Sequence, residues 1–145
     1  MVNVKTHIGA YGIIINDRKI ALVRKARGGY KGKLDLPGGG IEHTEKPFET
    51  LKREIIEEAG VEIDNYSLLD VTSVNIKWQM STDLWEDLHH IGVLYKVEIS
   101  NLNLKKDADG LDSNGADWYE IDNLSVEELS PFAKYALEKL GYNLQ

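Results

Sequence analysis

The sequence contains no cysteine among its 145 residues. That absence excludes a disulfide framework, a thiolate nucleophile and a zinc site built on cysteine. No apolar run approaches the roughly 20 residues that are needed to span a bilayer. The first residues also lack a basic stretch followed by an apolar one, which is the pattern of a secretory signal. We therefore expect a cytoplasmic protein that is not anchored in a membrane.

Positive charge is in deficit, because 17 Lys and Arg residues face 24 Asp and Glu residues and the formal net charge is −7. Duplex DNA and anionic membranes both bind basic surfaces, so neither is expected as a main partner. A polyanionic substrate would have to be met by local cations or by metal ions. The length favours one domain over residues 1–145, with enough chain to build a real core.

Turn signals and apolar periodicity predict strands, then a helix, then strands and a second helix. The predicted strands span 4–15, 20–23, 34–36, 66–76, 90–99 and 118–121. The first helix begins at Pro47 and ends at Gly60. The second begins near Ser125 or Ser130 and ends before Gly141. This order predicts an α+β or α/β sandwich with a helix on each side of a mixed sheet.

The first predicted helix carries three carboxylates close together on one face. With Glu54 at zero on a helical wheel, Glu57 falls at about −60° and Glu58 at about +40°. The adjoining sector is apolar and contains Phe48, Leu51, Ile55, Ile56 and Ala59. Like charges at these spacings cost roughly 0.2–0.5 kcal/mol per pair, which favours a bound divalent cation such as Mg²⁺. The alternative is a solvated acidic face that is relieved by Arg53.

Residues 39–61, GGIEHTEKPFETLKREIIEEAGV, resemble the Nudix box at all nine of its defined positions. The matching positions are Gly39, Glu45, Arg53, Glu54, Ile55, Glu57, Glu58, Gly60 and Val61. The preceding residues 36–39, LPGG, are similar to the usual lead-in of that family. The resemblance implies the Nudix α/β/α sandwich, with a mixed sheet between helices. It also implies hydrolysis of a nucleoside diphosphate linked to another group, with Mg²⁺ or Mn²⁺ as cofactor.

The resemblance assigns roles to individual residues. Glu57 and Glu58 would be the principal metal ligands, and Glu54 a further ligand or the group that orients the attacking water. The carbonyl of Gly38 would contribute another ligand. The catalytic set is completed by Glu45 and Arg53, which would form a supporting ion pair.

Three residues outside the box are further candidates. Residues 24–39 look like the corresponding part of MutT-type enzymes, which implies that Arg24 contacts phosphate; a solvated strand end is the alternative. Asp112, six residues before Trp118, would be a further metal ligand or would assist the base, although a turn residue also fits. Trp78 is a candidate for stacking on a base. The pair His89 and His90 is interpreted as a strand end, with a metal site as the alternative that lacks a third nitrogen ligand nearby.

These features predict a MutT-like Nudix hydrolase that cleaves a nucleoside triphosphate or a related nucleoside diphosphate derivative. Trp78 stands where many ADP-ribose hydrolases of the family have proline, so ADP-ribose is disfavoured. The alternatives are a nucleotide sugar, a dinucleoside polyphosphate or a capped RNA end. A nucleotide sensor without turnover is the other alternative, and the complete set of three glutamates counts against it. The expected partner is a small nucleotide, with no duplex nucleic acid and no membrane.

Overall fold

The computed structural model describes residues 1–106 and 113–145, with side chains at 113 and 114 left aside. In these residues the strands are β1 Val2–Asn16, β2 Lys19–Lys25, β3 Leu34–Asp35, β4 Gly38–Gly40, β5 Asn65–Ser81, β6 Leu84–Glu98 and β7 Ser113–Glu120. The helices are α1 Pro47–Ala59 and α2 Pro131–Lys139, and short 3-10 turns cover Ile121–Asn123 and Val126–Glu128. Within these residues, neither helix has the length and apolar content that crossing a bilayer would need.

The described strands form one mixed sheet in which β1 is central. β1 runs parallel to β6 and antiparallel to β2 and β4. β5 and β6 form a long antiparallel hairpin, and β7 pairs with β2. The backbone thereby brings β4 and the middle of β6 to opposite sides of β1. This placement of β4 and β6 creates one wall and the floor of the site described below.

Helices cover both faces of the sheet, as the sequence predicts. Alternate residues of β2 point to opposite faces: Ile20 and Leu22 pack in the cluster that contains α2, whereas Ala21 and Val23 pack in the cluster that contains α1. Each layer buries its own apolar core. The α/β/α sandwich is therefore confirmed.

The ends of α1 follow from its sequence. Pro47 occupies the first turn, and the Glu49 carboxylate accepts a hydrogen bond from the backbone N–H of Lys46 at 2.7 Å. Gly60 ends the helix in the left-handed conformation, with φ of 71°. Both boundaries of the predicted helix are thus confirmed.

Three expectations from the sequence are wrong in detail. Ile56, assigned to the apolar sector of α1, is 43% exposed, because the sheet meets the helix through Leu51 and Ile55. The hairpin strands β5 and β6 are longer than predicted. His90 lies in the middle of β6 instead of near a strand end, because pairing with β1 extends β6 back to Leu84.

Candidate active site

A cleft of about 710 Å³ opens between α1, β4 and the β5–β6 hairpin. Glutamates and glycines line its acidic end, namely Glu54, Glu57, Gly38, Gly39 and Gly40. The rest of the lining is mixed: it includes the cations Lys5, Lys25 and Arg27, the rings of His7, Tyr11, Tyr30, Trp78 and His90, the carboxylates Asp35 and Glu86, and the apolar Met80 and Leu88. A cleft of this volume is typical of small-molecule sites.

The glycines of β4 allow α1 to approach the sheet closely. A Cβ atom placed on Gly39 would lie only 2.6 Å from the carboxyl carbon of Glu54. Any larger residue at position 39 would therefore displace the Glu54 carboxylate from the cleft. The Glu54 carboxylate thus packs directly against the glycine backbone of β4.

Glu58 is the most deeply buried of the three glutamates on this helix face, with 3% of its surface exposed. Its carboxylate accepts a hydrogen bond from the backbone N–H of Gly38 at 2.8 Å. The Glu57 side chain, by contrast, is 52% exposed and lines the cleft. The helix face is thus not simply a solvated acidic surface.

Arg53 holds the acidic residues in place. Its Nε donates to Glu45 Oε2 at 2.9 Å, and its Nη2 donates to Glu45 Oε1 at 3.0 Å. Its Nη1 donates to Glu54 at 2.9 Å and to Glu57 at 3.4 Å. Hydrogen bonds to Glu45 lower its pKa to about 2, with the largest contribution from Arg53 and further ones from the backbone N–H of Glu42 and the hydroxyl of Thr50; the same pairing raises the pKa of Arg53. One guanidinium therefore contacts and orients three carboxylates, and its charge offsets part of their repulsion.

The acidic end has the donor chemistry that a magnesium ion prefers. Within residues 1–106 and 113–145, no three acidic or histidine side chains form a complete metal-binding group. Mg²⁺ does not require one, since proteins typically bind it through one or two carboxylates, with waters and substrate phosphates as the other ligands. Glu54, Glu57 and the backbone of Gly38 line the same end of the cleft and fit this requirement.

The other candidates from the sequence fall in three different places. Trp78 lines the cleft, and its Nε1 donates to Glu86 at 2.8 Å. Arg24 does not line the cleft; it donates to the carbonyl of Gly32 at 2.9 Å. Lys25 and Arg27, which follow it in the sequence, do line the cleft. Asp112 lies outside the described residues.

Sequence reasoning missed a hydrogen-bonded group in the cleft wall. His90 is buried between Tyr11 and Tyr30, and both of its ring nitrogens are within hydrogen-bond distance of a tyrosine hydroxyl. The available signal was the two-residue period of β6, which places Glu86, Leu88 and His90 on one face when it is extended backwards. That period does not reveal which distant residues His90 meets.

Comparisons with known proteins indicate the family of this chain. A family model described as NUDIX domain matches residues 5–140. The chain is 34% identical over 113 residues to an ADP-ribose pyrophosphatase of Methanocaldococcus jannaschii, which covers 78% of this chain and 61% of that protein. The chain thus spans about three fifths of that relative's length. It is 27% identical over 153 residues to an RNA pyrophosphohydrolase of Saccharophagus degradans, which covers 90% of each protein.

The fold also has a close match among solved structures. The MutT NUDIX hydrolase from Burkholderia pseudomallei superposes with a TM-score of 0.74 over 94% of this chain and 98% of that one. The two sequences are 23% identical, so this likeness concerns the fold alone.

Proposed function

This chain belongs to the Nudix hydrolase family, and we propose that it hydrolyses a phosphoanhydride bond of a nucleoside triphosphate or a related nucleoside diphosphate derivative. The observation that carries the proposal is the make-up of the cleft. Its acidic end offers oxygen donors for a divalent cation, and Lys25 and Arg27 line the same cleft. A protein of net charge −7 can accept a polyphosphate when local cations and a divalent metal ion together meet the phosphate charge.

Glu54, Glu57 and Glu58 would hold Mg²⁺ or Mn²⁺ together with the carbonyl of Gly38. When bound, the metal neutralises phosphate charge and acidifies a water molecule. Arg53 orients Glu54, which can accept a hydrogen bond from the attacking water. The water oxygen bonds to phosphorus as its proton passes to Glu54, the anhydride P–O bond breaks, and the leaving phosphate departs as an anion.

Two other substrates have specific support. The relative from M. jannaschii is named for ADP-ribose, which favours that compound, whereas Trp78 at the position of the expected proline counts against it. The relative from S. degradans is named for RNA, which favours a 5′-phosphorylated RNA end. Both substrates share the phosphoanhydride group that the cleft is proposed to bind.

The decisive experiment is a hydrolysis panel with Mg²⁺. The substrates are ATP, GTP, CTP, their deoxy forms, 8-oxo-dGTP, ADP-ribose and 5′-triphosphorylated RNA, and phosphate and pyrophosphate release are both measured. We expect turnover of the triphosphates with broad tolerance of the base, because residues 129–137 have no asparagine of the kind that reads an oxidised guanine in MutT-type enzymes. Excess EDTA should abolish turnover, and added Mg²⁺ or Mn²⁺ should restore it.

The control is a mock purification from cells that do not express the protein, since activity in it would reveal a contaminating phosphatase. If kcat/KM for ADP-ribose or RNA is tenfold above the value for every nucleoside triphosphate, that compound is the preferred substrate and the proposed one is wrong. If no compound is hydrolysed, the nucleotide-sensor alternative is favoured. Full turnover in excess EDTA would contradict the proposed metal dependence.

A further inference from the structure

We propose that Tyr30, His90 and Tyr11 form a hydrogen-bonded chain that holds the basic loop, residues 27–33, in the cleft wall and so positions Arg27 to bind phosphate groups of the substrate. The anion-binding part of this inference rests on the proposed function. In this role His90 and the two tyrosines are positioning residues, and Arg27 is the residue that touches the substrate.

The chain is continuous from the loop to the centre of the sheet. The hydroxyl of Tyr30 lies 2.8 Å from Nδ1 of His90, and the hydroxyl of Tyr11 lies 2.7 Å from Nε2. The rings of Tyr30 and His90 also stack, with centroids 5.6 Å apart and planes 24° apart. Tyr11 and His90 are each 4% exposed, so the hydrogen bond between them does not compete with bulk water, whereas the bond to Tyr30 is partly buried.

The imidazole of His90 is the neutral form in this environment. Burial lowers its pKa to about 3, and the positive charges of His7 and Lys25 act in the same direction. A neutral imidazole has one donor and one acceptor nitrogen. One tyrosine hydroxyl therefore donates to His90 while the other accepts from it, and all three groups are satisfied.

Two further sets of contacts hold the basic loop, one of backbone hydrogen bonds and one of packing. At its base, the backbone N–H of Lys25 donates to the carbonyl of Lys33 and that of Gly32 donates to the carbonyl of Lys25, both at 2.9 Å. In its middle, a Cβ atom on Gly29 would lie 2.8 Å from Ile76 and 3.1 Å from Trp78. The backbone at Gly29 therefore packs against the side chains of Ile76 and Trp78 on β5, and a Cβ atom there would push the end of Ile76 aside.

Arg27 is the loop cation that this arrangement places in the cleft. Its side chain lines the cleft, is exposed, and makes no hydrogen bond or ion pair with the described residues. A guanidinium matches phosphate oxygens with a rigid fork of donors. Fixing the loop before the substrate arrives reduces the ordering cost of binding. Arg24, the arginine favoured by the sequence, is engaged with Gly32 outside the cleft.

The first test measures the loop without any substrate. Trypsin cleaves after Arg27, Lys31 and Lys33, so the rate of limited proteolysis in this segment reports how often the loop opens. Tyr30→Phe and Tyr11→Phe each remove one hydroxyl and keep the ring. We expect each to accelerate cleavage by roughly two- to tenfold, the range that the net worth of one hydrogen bond corresponds to.

The matched control is Tyr142→Phe, a tyrosine near the C-terminus whose ring contacts Arg18. Its cleavage rate should equal that of the wild type. A wild-type cleavage rate in either Tyr30→Phe or Tyr11→Phe would contradict the proposal that the hydrogen-bonded chain holds the loop. This result is independent of whether any nucleotide is hydrolysed.

The second test asks whether Tyr30 acts through Arg27. Calorimetry with adenosine 5′-(α,β-methylene)diphosphate and Mg²⁺ gives Kd for wild type, Tyr30→Phe, Arg27→Gln and the double variant. We expect about tenfold weaker binding for Arg27→Gln, several-fold weaker binding for Tyr30→Phe, and no further loss in the double variant. Arg18→Gln, on the far surface with Asp122 as its partner, should bind as the wild type does.

Additive losses in the double variant would overturn the positioning role of Tyr30. Unchanged binding by Arg27→Gln would overturn the role of Arg27. On the best substrate of the hydrolysis panel, Tyr30→Phe should raise KM and leave kcat nearly unchanged. If the wild type neither binds the analogue nor hydrolyses any nucleotide, the proposed function and the role of Arg27 both fail, while proteolysis still decides whether the chain holds the loop.

Discussion

The carboxylate of Glu58 accepts a hydrogen bond from the backbone N–H of Gly38 at 2.8 Å, which ties the last turn of α1 to β4. The bond is buried and lies at the acidic end of the cleft. Glu58 therefore has a structural partner in addition to its expected role as a metal ligand. The carboxylate of Glu57, one residue earlier, has no such bond to the sheet, and among the described residues it reaches only Arg53.

This difference predicts separable effects of two matched substitutions. Glu57→Gln should lower kcat by roughly a hundredfold or more and leave the free energy of unfolding unchanged. Glu58→Gln should lower kcat and also destabilise the fold by about 1 kcal/mol, because a neutral acceptor replaces a charged one. Steady-state kinetics and urea denaturation measure the two effects. Near-wild-type rates in both variants would mean that the carboxylates do not take part in catalysis.

Arg53→Lys keeps the positive charge at position 53 but should orient the carboxylates of the acidic end less firmly. Lysine cannot supply the fork of donors that reaches Glu45, Glu54 and Glu57 at once, so we expect kcat to fall roughly tenfold or more. The pKa of Glu45 should rise from about 2 towards its ordinary value of 4.5, which a carboxyl NMR titration measures. A Glu45 pKa that stays near 2 in the variant would contradict the assignment of that shift to Arg53.

The sign of the Glu45 effect follows from its lowered pKa. Its stabilising contribution is fully present above about pH 4.5 and is lost as the pH falls from there towards about 2. Arg53→Lys should therefore flatten the dependence of stability on pH within this window.

Ile55 and Ile56 offer a test of the helix orientation at adjacent positions. Ile55 is fully buried between α1 and the sheet, so Ile55→Ala should destabilise the protein by roughly 2–5 kcal/mol. Ile56 is 43% exposed, and Ile56→Ala should change the free energy of unfolding by about 0.5 kcal/mol or less. Urea denaturation of the pair decides the matter. Similar losses at both positions would place α1 in a different rotation against the sheet.

His90 should make the fold sensitive to mild acid. Its pKa is about 3 in the folded protein and about 6.5 ordinarily, so between these values the unfolded chain binds a proton that the folded chain does not. Stability from this source is complete above about pH 6.5 and is lost as the pH falls towards 3. His90→Gln should therefore show a shallower fall in unfolding free energy between pH 7 and pH 5 than the wild type.

The control for that measurement is His43→Gln, since His43 is exposed on the segment before α1. It should keep the wild-type slope, whatever its absolute stability. An unchanged slope in His90→Gln would show that the buried imidazole is not the group that titrates.

The amino-acid sequence by itself determined the features that depend on neighbouring residues. Pro47 and Gly60 bound α1 through capping and through a left-handed stop, which are local interactions. The Nudix box placed its glutamates and Arg53 on one helix, and the family comparison agrees with that resemblance. Helix and sheet periods then predicted the layered fold, since each period follows from backbone geometry alone.

Only the tertiary structure decided which side chains meet across the sheet. Glu58 is buried because β4 presents an N–H to it, and His90 joins the cleft because Tyr11 lies 79 residues away in sequence but next to it in space. The same packing brings Arg27 to the cleft instead of Arg24. Periodicity specifies the face on which a residue lies, but not the partner on the element that packs against it, because that partner depends on strand order and register.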